Sequence, residues 1–193
     1  MSTSHLDHLE RDPTQWFPMP AALVVSCDSA GVPNLMGIGY VGFTCWQPPT
    51  IYLGINTARH SGAAIRETKQ FVVGLPEPER VLNLDHCGTI SGVDVDKFVA
   101  AGFTTRPADV VTPPLINECA VNLECELTKV VEIGSHDLHL GTVVRVHVKD
   151  AYISGEKHLE PIILVSRRYT AASHFLADFG ASYGGLSVTS QPE

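Results

Sequence analysis

The run Val121-Asn122-Leu123-Glu124-Cys125-Glu126-Leu127, the turn Gly134-Ser135 and the run His136-Asp137-Leu138-His139-Leu140-Gly141-Thr142-Val143-Val144-Arg145-Val146-His147-Val148-Lys149 decide the architecture. In the first run Val121, Leu123, Cys125 and Leu127 hold one parity, and Asn122, Glu124 and Glu126 hold the other. Successive side chains of a strand point to opposite faces, so this is the period of a half-buried strand. In the second run Leu138, Leu140, Val144, Val146 and Val148 share a parity, Asp137, His139, Arg145 and His147 hold the other, and Val143 breaks the pattern. The leucine side is the expected core side. Two long strands around a short turn make an antiparallel hairpin.

The same signals recur toward the N-terminus. Trp16-Phe17-Pro18-Met19-Pro20 leads into a strand at Ala21–Cys27, Asp28-Ser29-Ala30-Gly31 is a turn, and a second strand runs from Asn34 to Phe43. After Trp46-Gln47-Pro48-Pro49 a third strand covers Thr50–Asn56, and a fourth covers Phe71–Leu75. Short helices are expected at Ser61–Lys69, at Glu79–Cys87, and from the Ser91-Gly92-Val93-Asp94 capping pattern through Ala100, closed by Gly102. Pro161–Val165 reads as a last short strand, and Tyr169–Phe179 as a helix stopped by Gly180. Strands joined mostly by turns, not helical crossovers, predict a mainly β chain with peripheral helices, arranged as an antiparallel barrel. No repeat or linker divides it. We read an N-terminal arm over 1–15, one domain over 16–180 and a C-terminal tail over 181–193.

The 193 residues carry 13 Lys+Arg against 21 Asp+Glu, a formal net charge of −8 with the histidines neutral. That acidity speaks against non-specific nucleic-acid binding, which needs a cation excess to displace counterions. A 44% hydrophobic composition is enough for a packed core and excludes a disordered chain. The cysteines at 27, 45, 87, 119 and 125 are odd in number and form no Cys-x-x-Cys, and Met1 to Arg11 has no apolar stretch. No run approaches the ~18 consecutive apolar residues of a membrane helix. The expectation is a reduced, cytoplasmic protein with no membrane segment, its cysteines serving as small buried hydrophobes.

Three stretches carry candidate chemistry. Asn56-Thr57-Ala58-Arg59-His60-Ser61-Gly62-Ala63-Ala64-Ile65 stands where a strand ends and a helix begins. A helix start leaves N–H groups without partners and attracts an anion, to which Arg59 adds a guanidinium fork and Ser61 a hydroxyl. The plainer reading is a helix capped at Ser61 beside a surface arginine. In Asn34-Leu35-Met36-Gly37-Ile38-Gly39-Tyr40-Val41-Gly42, Gly37 and Gly39 share a parity and flatten one face. Glycines inside a strand mark a close approach, by a ligand ring or by another backbone, or a bend at a barrel corner. Ser91-Gly92-Val93-Asp94-Val95-Asp96-Lys97-Phe98 offers a second helix start, with Lys97 either serving an anion or standing in solvent.

Metal chemistry finds little footing. His136 and His139 fall on opposite faces of their strand, and His86-Cys87 has no partner pair at zinc spacing, so no metal site is assigned. Neither Gly-x-Ser-x-Gly nor a Walker loop occurs. His136 holds the core parity just after a turn and is expected to point inside.

These residues together resemble the flavin-reductase-like family with its FMN-binding split barrel, and within it the flavoredoxin branch. Pro18-x-Pro20-Ala21-Ala22-Leu23-Val24-Val25 is similar to the family's first strand, and Asp28-x-x-Gly31-x-x-Asn34 to its first turn. Pro48-Pro49, Ile51-Tyr52-Leu53 and Arg59-His60-Ser61 resemble its route to the phosphate loop. The Ser91–Phe98 stretch resembles the flavoredoxin branch, and Pro113-Pro114-Leu115-Ile116, Leu123-Glu124-Cys125 and His136 to Val143 also fit. The resemblance covers roughly residues 16–170.

The resemblance implies an antiparallel split β-barrel, a homodimer, and FMN bound near the subunit interface. Arg59, His60 and Ser61, in the loop that begins at Asn56, would hold the phosphate, and Ser91, Lys97 and Phe98 would serve the same end of the flavin. The strand Asn34, Leu35, Met36, Gly37, Ile38 and Gly39 would lie along the isoalloxazine, and His136 would assist nicotinamide binding. Many flavin reductases carry Ser or Thr along that strand; here Gly37, Ile38 and Gly39 leave the main chain to make the hydrogen bonds. No Rossmann fingerprint is present, so NADH or NADPH would have to stack on the flavin itself. The implied activity is an oxidoreductase passing electrons from NAD(P)H through flavin to a small-molecule or protein acceptor. The alternatives are an FMN electron carrier serving a redox partner protein, and a barrel with an altered ligand acting as a binding module.

Overall fold

Short turns between alternating segments leave antiparallel pairing as the only ladder available to most of these strands. The computed structural model describes residues 16–92 and 95–173. Its elements are β1 (Met19–Pro20), β2 (Ala22–Cys27), β3 (Pro33–Ile38), β4 (Val41–Cys45), β5 (Thr50–Asn56), α1 (His60–Thr68), β6 (Gln70–Pro76), α2 (Val81–Thr89), α3 (Lys97–Ala101), β7 (Thr105–Arg106), β8 (Leu115–Ile116), β9 (Cys119–Glu132), β10 (His136–Val148), α4 (Asp150–Ile153), β11 (Ile162–Val165) and β12 (Arg168–Ala171). Seven strands form one antiparallel sheet in the order β3-β2-β6-β9-β10-β5-β4, and β1, β11 and β12 form a smaller sheet beside it. The expected strand from Asn34 to Phe43 breaks at Gly39-Tyr40, where the chain leaves one sheet edge and starts the opposite one. The sheet curls into a barrel that stays split between β3 and β4.

Two apolar layers hold the sheet. Inside the barrel Val24, Met36, Leu53, Phe71 and Leu123 pack around Ile65, which α1 inserts like a plug. Burying such a side chain fully stabilises the fold by roughly 1.5–3 kcal/mol. On the other face Leu23, Val25, Leu35 and Val72 are covered by Leu84 and Cys87 of α2 and by Phe103, Leu115 and Ile116. Both faces of β2 are therefore buried. Helix α1 stops at Lys69, whose φ of 62° lets its N–H reach the Ile65 carbonyl.

Burial on two sides also changes the reading of β9. Asn122 and Glu124, expected to face solvent, are buried. Asn122 bonds both the N–H and the C=O of Ile116, at 2.9 and 3.0 Å. Glu124 accepts from the N–H groups of Asp109, Val110 and Val111 and is bonded to His147 Nε2 at 2.6 Å, so it fastens the covering loop. Burial pushes the Glu124 carboxyl up, but these hydrogen bonds outweigh it and hold it below its usual range.

The expected core side of β10 is reversed. Asp137, His139, Gly141 and Val143 are buried, while Leu138 and Leu140 are half-buried on the outer face and Val144 and Val146 are exposed. Inside, Arg66 of α1 pairs with Asp137, and His139 lies under Gly62. Gly141 is required there, because a Cβ would meet Phe71 Cζ at 2.5 Å. Asp137 is inside because Arg66 of α1 pairs with it, and His139 is inside with Nδ1 3.2 Å from the Asp137 carbonyl of its own strand.

Three further expectations are corrected. Helix α3 starts at Lys97, not near Ser91, because Asp96 is its cap: Oδ1 accepts from Phe98 N at 2.9 Å and Val99 N at 3.2 Å. Val93 and Asp94 of the capping pattern lie outside the described residues. The segment from Tyr169 begins as part of β12, since it pairs with β11; the rest of that expected helix, Gly180, the arm and the tail lie outside the described residues. All five cysteines are free, and Cys45 is exposed rather than buried. Among the described residues no helix is long and apolar enough to cross a membrane.

Candidate functional site

A cavity of about 340 Å³ opens at the split of the barrel. Met36 and Ile38 of β3 form one wall and Gly54, Ile55 and Asn56 of β5 another. Leu164 to Arg167 of the β11–β12 hairpin close a third side, and Met19, Tyr40 and His136 complete the lining. A Cβ on Gly39 would meet nothing closer than Leu164 Cδ2 at 3.7 Å, so this stretch of main chain is open to the cavity. The walls are thus largely apolar and backbone, the character of a small-molecule site.

One end is cationic. Arg59, the residue before α1, gives no side-chain hydrogen bond to that helix; Gly62 N–H donates to the Arg59 carbonyl at 3.2 Å, while the N–H groups ahead of it belong to a helix start that has no carbonyl one turn back. The Arg59 guanidinium instead donates from Nη2 to the Gly88 carbonyl at 2.9 Å. Lys97, only 5% exposed, donates from Nζ to the Cys87 carbonyl at 2.8 Å. Both cations therefore sit on the last carbonyls of α2, the negative end of that helix. Burial lowers the pKa of Lys97, and the Arg59 charge adds to the effect. Asn34 Nδ2 donates to Ser61 Oγ at 2.8 Å and ties β3 to the start of α1. Gly92 packs so closely on Asn34 Oδ1 that a side chain there would push the Asn34 amide aside.

Residues 14–173 match the flavin reductase like domain family. The chain belongs to the flavin reductase-like family. Its structure superposes on flavoredoxin of Desulfovibrio vulgaris (Miyazaki F) with a TM-score of 0.80 and 28% identity, covering 94% of this chain and 100% of that one. An uncharacterised Archaeoglobus fulgidus protein is 31% identical over 140 residues, 72% of this chain and 78% of the relative. A Streptomyces pristinaespiralis protein named NADH:riboflavin 5′-phosphate oxidoreductase is 27% identical over 72% of this chain and 77% of the relative. The split barrel of this flavin reductase-like chain and its likeness to flavoredoxin agree, and its function is flavin-related redox chemistry.

The residues suit a flavin. An apolar slot with exposed main chain at Gly39 accepts a planar ring, and the cationic end beside a helix start accepts a phosphate. Of the residues picked out in the sequence, Met36, Gly37, Ile38, Gly39, Asn56, Arg59 and His136 meet at the cavity. Asn34, Ser61 and Lys97 are not in the lining: Asn34 and buried Ser61 bond each other, and Lys97 stands behind Arg59. His60 and Ser91 are exposed. Leu35 is buried in the layer under α2, and Phe98 packs against that same layer, so neither side chain faces the cavity.

Two readings are revised. Gly37 is glycine chiefly for helix α2, because a Cβ there would come within 2.6 Å of Leu84 O and 2.9 Å of Gly88 N. The side chain of His136 points to the outer face and the cavity, not into the barrel, since the parity of β10 is reversed. There its ring stands edge-on to Tyr40 at 5.1 Å, with Ser135 Oγ 3.0 Å from Nδ1. Tyr40, Ser166 and Arg167 were not foreseen in the sequence. The Ser166-Arg167 turn was hidden because Tyr169 onward reads locally as helix. Asp109, Glu124 and His147 also converge. Both oxygens of Glu124 already accept two hydrogen bonds each, so that group is a fastening of the loop.

Proposed function

We propose that this protein is an FMN-binding oxidoreductase that takes electrons from NADH or NADPH and passes them through the flavin to an acceptor. The observation that carries the reading is the cavity itself: an apolar slot lined at one end by Arg59, with Lys97 and the start of α1 behind that residue, in a chain whose net charge is −8. Bound flavin supplies the redox chemistry, accepting hydride and releasing electrons. The chain binds and orients. Arg59, His60, Ser61 and the first-turn N–H groups of α1 hold the phosphate, and Lys97 adds charge behind them. The main chain near Gly39 meets the ring, and His136, braced by Tyr40, orients the nicotinamide. The name of the Streptomyces relative supports both the donor and the flavin.

The working unit in this proposal is a homodimer in the reducing cytoplasm. Leu140, Tyr52 and Gly42 lie in a row across β10, β5 and β4 on the outer face. Leu138 and Leu140 are half-buried there, and Phe43 and Trp46 are 61% and 94% exposed. An apolar sheet face of this kind calls for a covering partner. His136 shares its parity, so a second copy would also cover the cavity side.

A flavoredoxin-type carrier is the second reading, favoured by the full-length likeness to the Desulfovibrio protein. The visible spectrum, followed by anaerobic titration with NADH and NADPH, separates the two. Rapid bleaching supports the reductase, and bleaching only by a reduced protein donor supports the carrier. A colourless protein that binds no added FMN refutes both and leaves a binding module. Lys97→Met is expected to weaken FMN binding about tenfold or more while hardly changing riboflavin binding. Equal losses for the two ligands would remove Lys97 from the phosphate end.

A further inference from the structure

The β11–β12 hairpin turns through two residues, Ser166-Arg167, between the paired Val165 and Arg168. Both have left-handed φ values, 51° and 60°. That is the backbone of a type I′ turn, which Asn-Gly fills most easily. A serine and an arginine hold it under strain, and such strain is found where a position is put to use. Both residues line the rim of the cavity. Arg167 is exposed and takes part in none of the ion pairs among the described residues, although acidic groups outnumber Lys+Arg by 21 to 13. A guanidinium without a carboxylate at the mouth of a ligand cavity is a receptor for an anion.

FMN carries one phosphate, and Arg59 and Lys97 already serve it. They belong to the α1–α2 side, whereas Arg167 comes from the small sheet. The cavity, about 340 Å³, lies at the low end of the ~300–1,000 Å³ typical of ligand sites, so it cannot enclose a flavin and a dinucleotide together. The phosphates of a dinucleotide must stay at the rim. We propose that Arg167, presented by the strained turn, binds the pyrophosphate of the nicotinamide dinucleotide that reduces the flavin. This rests on the NAD(P)H-driven reading above and makes Arg167 the residue that favours a dinucleotide over an uncharged dihydronicotinamide.

The test compares FMN-loaded wild type with Arg167→Gln, Arg167→Lys and Arg168→Gln, the last removing a neighbouring charge that does not line the cavity. NAD⁺ binding is measured by calorimetry, and anaerobic flavin reduction by stopped flow with NADH and with uncharged N-benzyl-dihydronicotinamide. For Arg167→Gln, NAD⁺ affinity is expected to fall about tenfold, and the NADH concentration for half-maximal rate to rise as much. The limiting rate, the FMN affinity and the benzyl donor's kinetics stay unchanged. Arg167→Lys recovers part of the loss, and Arg168→Gln shows none. Unchanged NAD⁺ affinity in Arg167→Gln, a matching loss of FMN, or equal slowing with both donors overturns the assignment. A wild type that no nicotinamide reduces or binds overturns the NAD(P)H reading itself and Arg167's role with it. A wild type reduced normally, alongside an indifferent Arg167→Gln, overturns the Arg167 role alone.

Discussion

Adding one methyl group at Gly37 tests how the sheet holds the cationic end of the site. In Gly37→Ala the new Cβ meets Leu84 O at 2.6 Å, Gly88 N at 2.9 Å and Gly88 Cα at 3.1 Å. All three are backbone atoms of α2, so no side chain can swing away. Overpacking of this kind costs roughly 1–3 kcal/mol, and a backbone-to-backbone clash belongs at the top of that range. Replacing glycine in a strand returns roughly 0.5–1 kcal/mol of conformational entropy. The net loss is about 2 kcal/mol, which for a chain of this size lowers Tm by about 4–8 °C. Relief requires α2 to move off β3, and α2 carries the Cys87 and Gly88 carbonyls that hold Lys97 and Arg59. FMN affinity should therefore fall as well. Gly39→Ala is the control, because its Cβ meets only Leu164 Cδ2 at 3.7 Å and Met19 Cε at 3.9 Å. It should keep its Tm within about 2 °C, a stability change under about 0.5 kcal/mol. Its methyl group still intrudes on the cavity and weakens flavin binding. Thermal unfolding by circular dichroism without ligand, with flavin titration alongside, reads both effects. A Gly37→Ala protein as stable as Gly39→Ala would refute the claim that α2 rests on this glycine.

Leu140→Arg places a charge in the middle of the outer apolar row and should turn a dimer into monomers with weakened flavin binding. Sedimentation velocity checks this, and an unchanged sedimentation coefficient would clear that face of an interface role. Acid stability should fall in two stages. Burial holds the His139 pKa below its ordinary value, so the unfolded chain takes up that proton first. Stability then drops as pH falls below about 6.5. The Glu124 carboxyl lies below its usual range when folded, so its contribution is present above the unfolded value and fades as pH falls through the folded one. Urea midpoints should decline gently below about pH 6.5 and more steeply below about pH 4.5. His139→Gln should remove only the first decline, and a slope identical to wild type would refute that assignment.

Much was settled locally. The alternation through Val121–Leu127 and His136–Lys149 fixed an antiparallel hairpin, because a period of two forms only a strand. The turn at Asp28–Gly31 and the helix after Arg59 were legible in the same way, since caps and turns depend on a few adjacent residues. Which side of β10 would be covered was not legible. Its leucines look like the core, yet α1, far away in sequence, brings Arg66 to Asp137 and lies over His139, so the polar side is the buried one. Lys97 looks like a surface residue until the Cys87 carbonyl accepts from it under the packed loop. Arg167 has no sequence signal, because its left-handed turn is set by the pairing of β11 with β12. Sequence determined the strands, the antiparallel class and the presence of a cation at a helix start. The tertiary structure alone decided which faces are dry, which cations converge and where the barrel opens, because those outcomes depend on segments that meet only after the chain has folded.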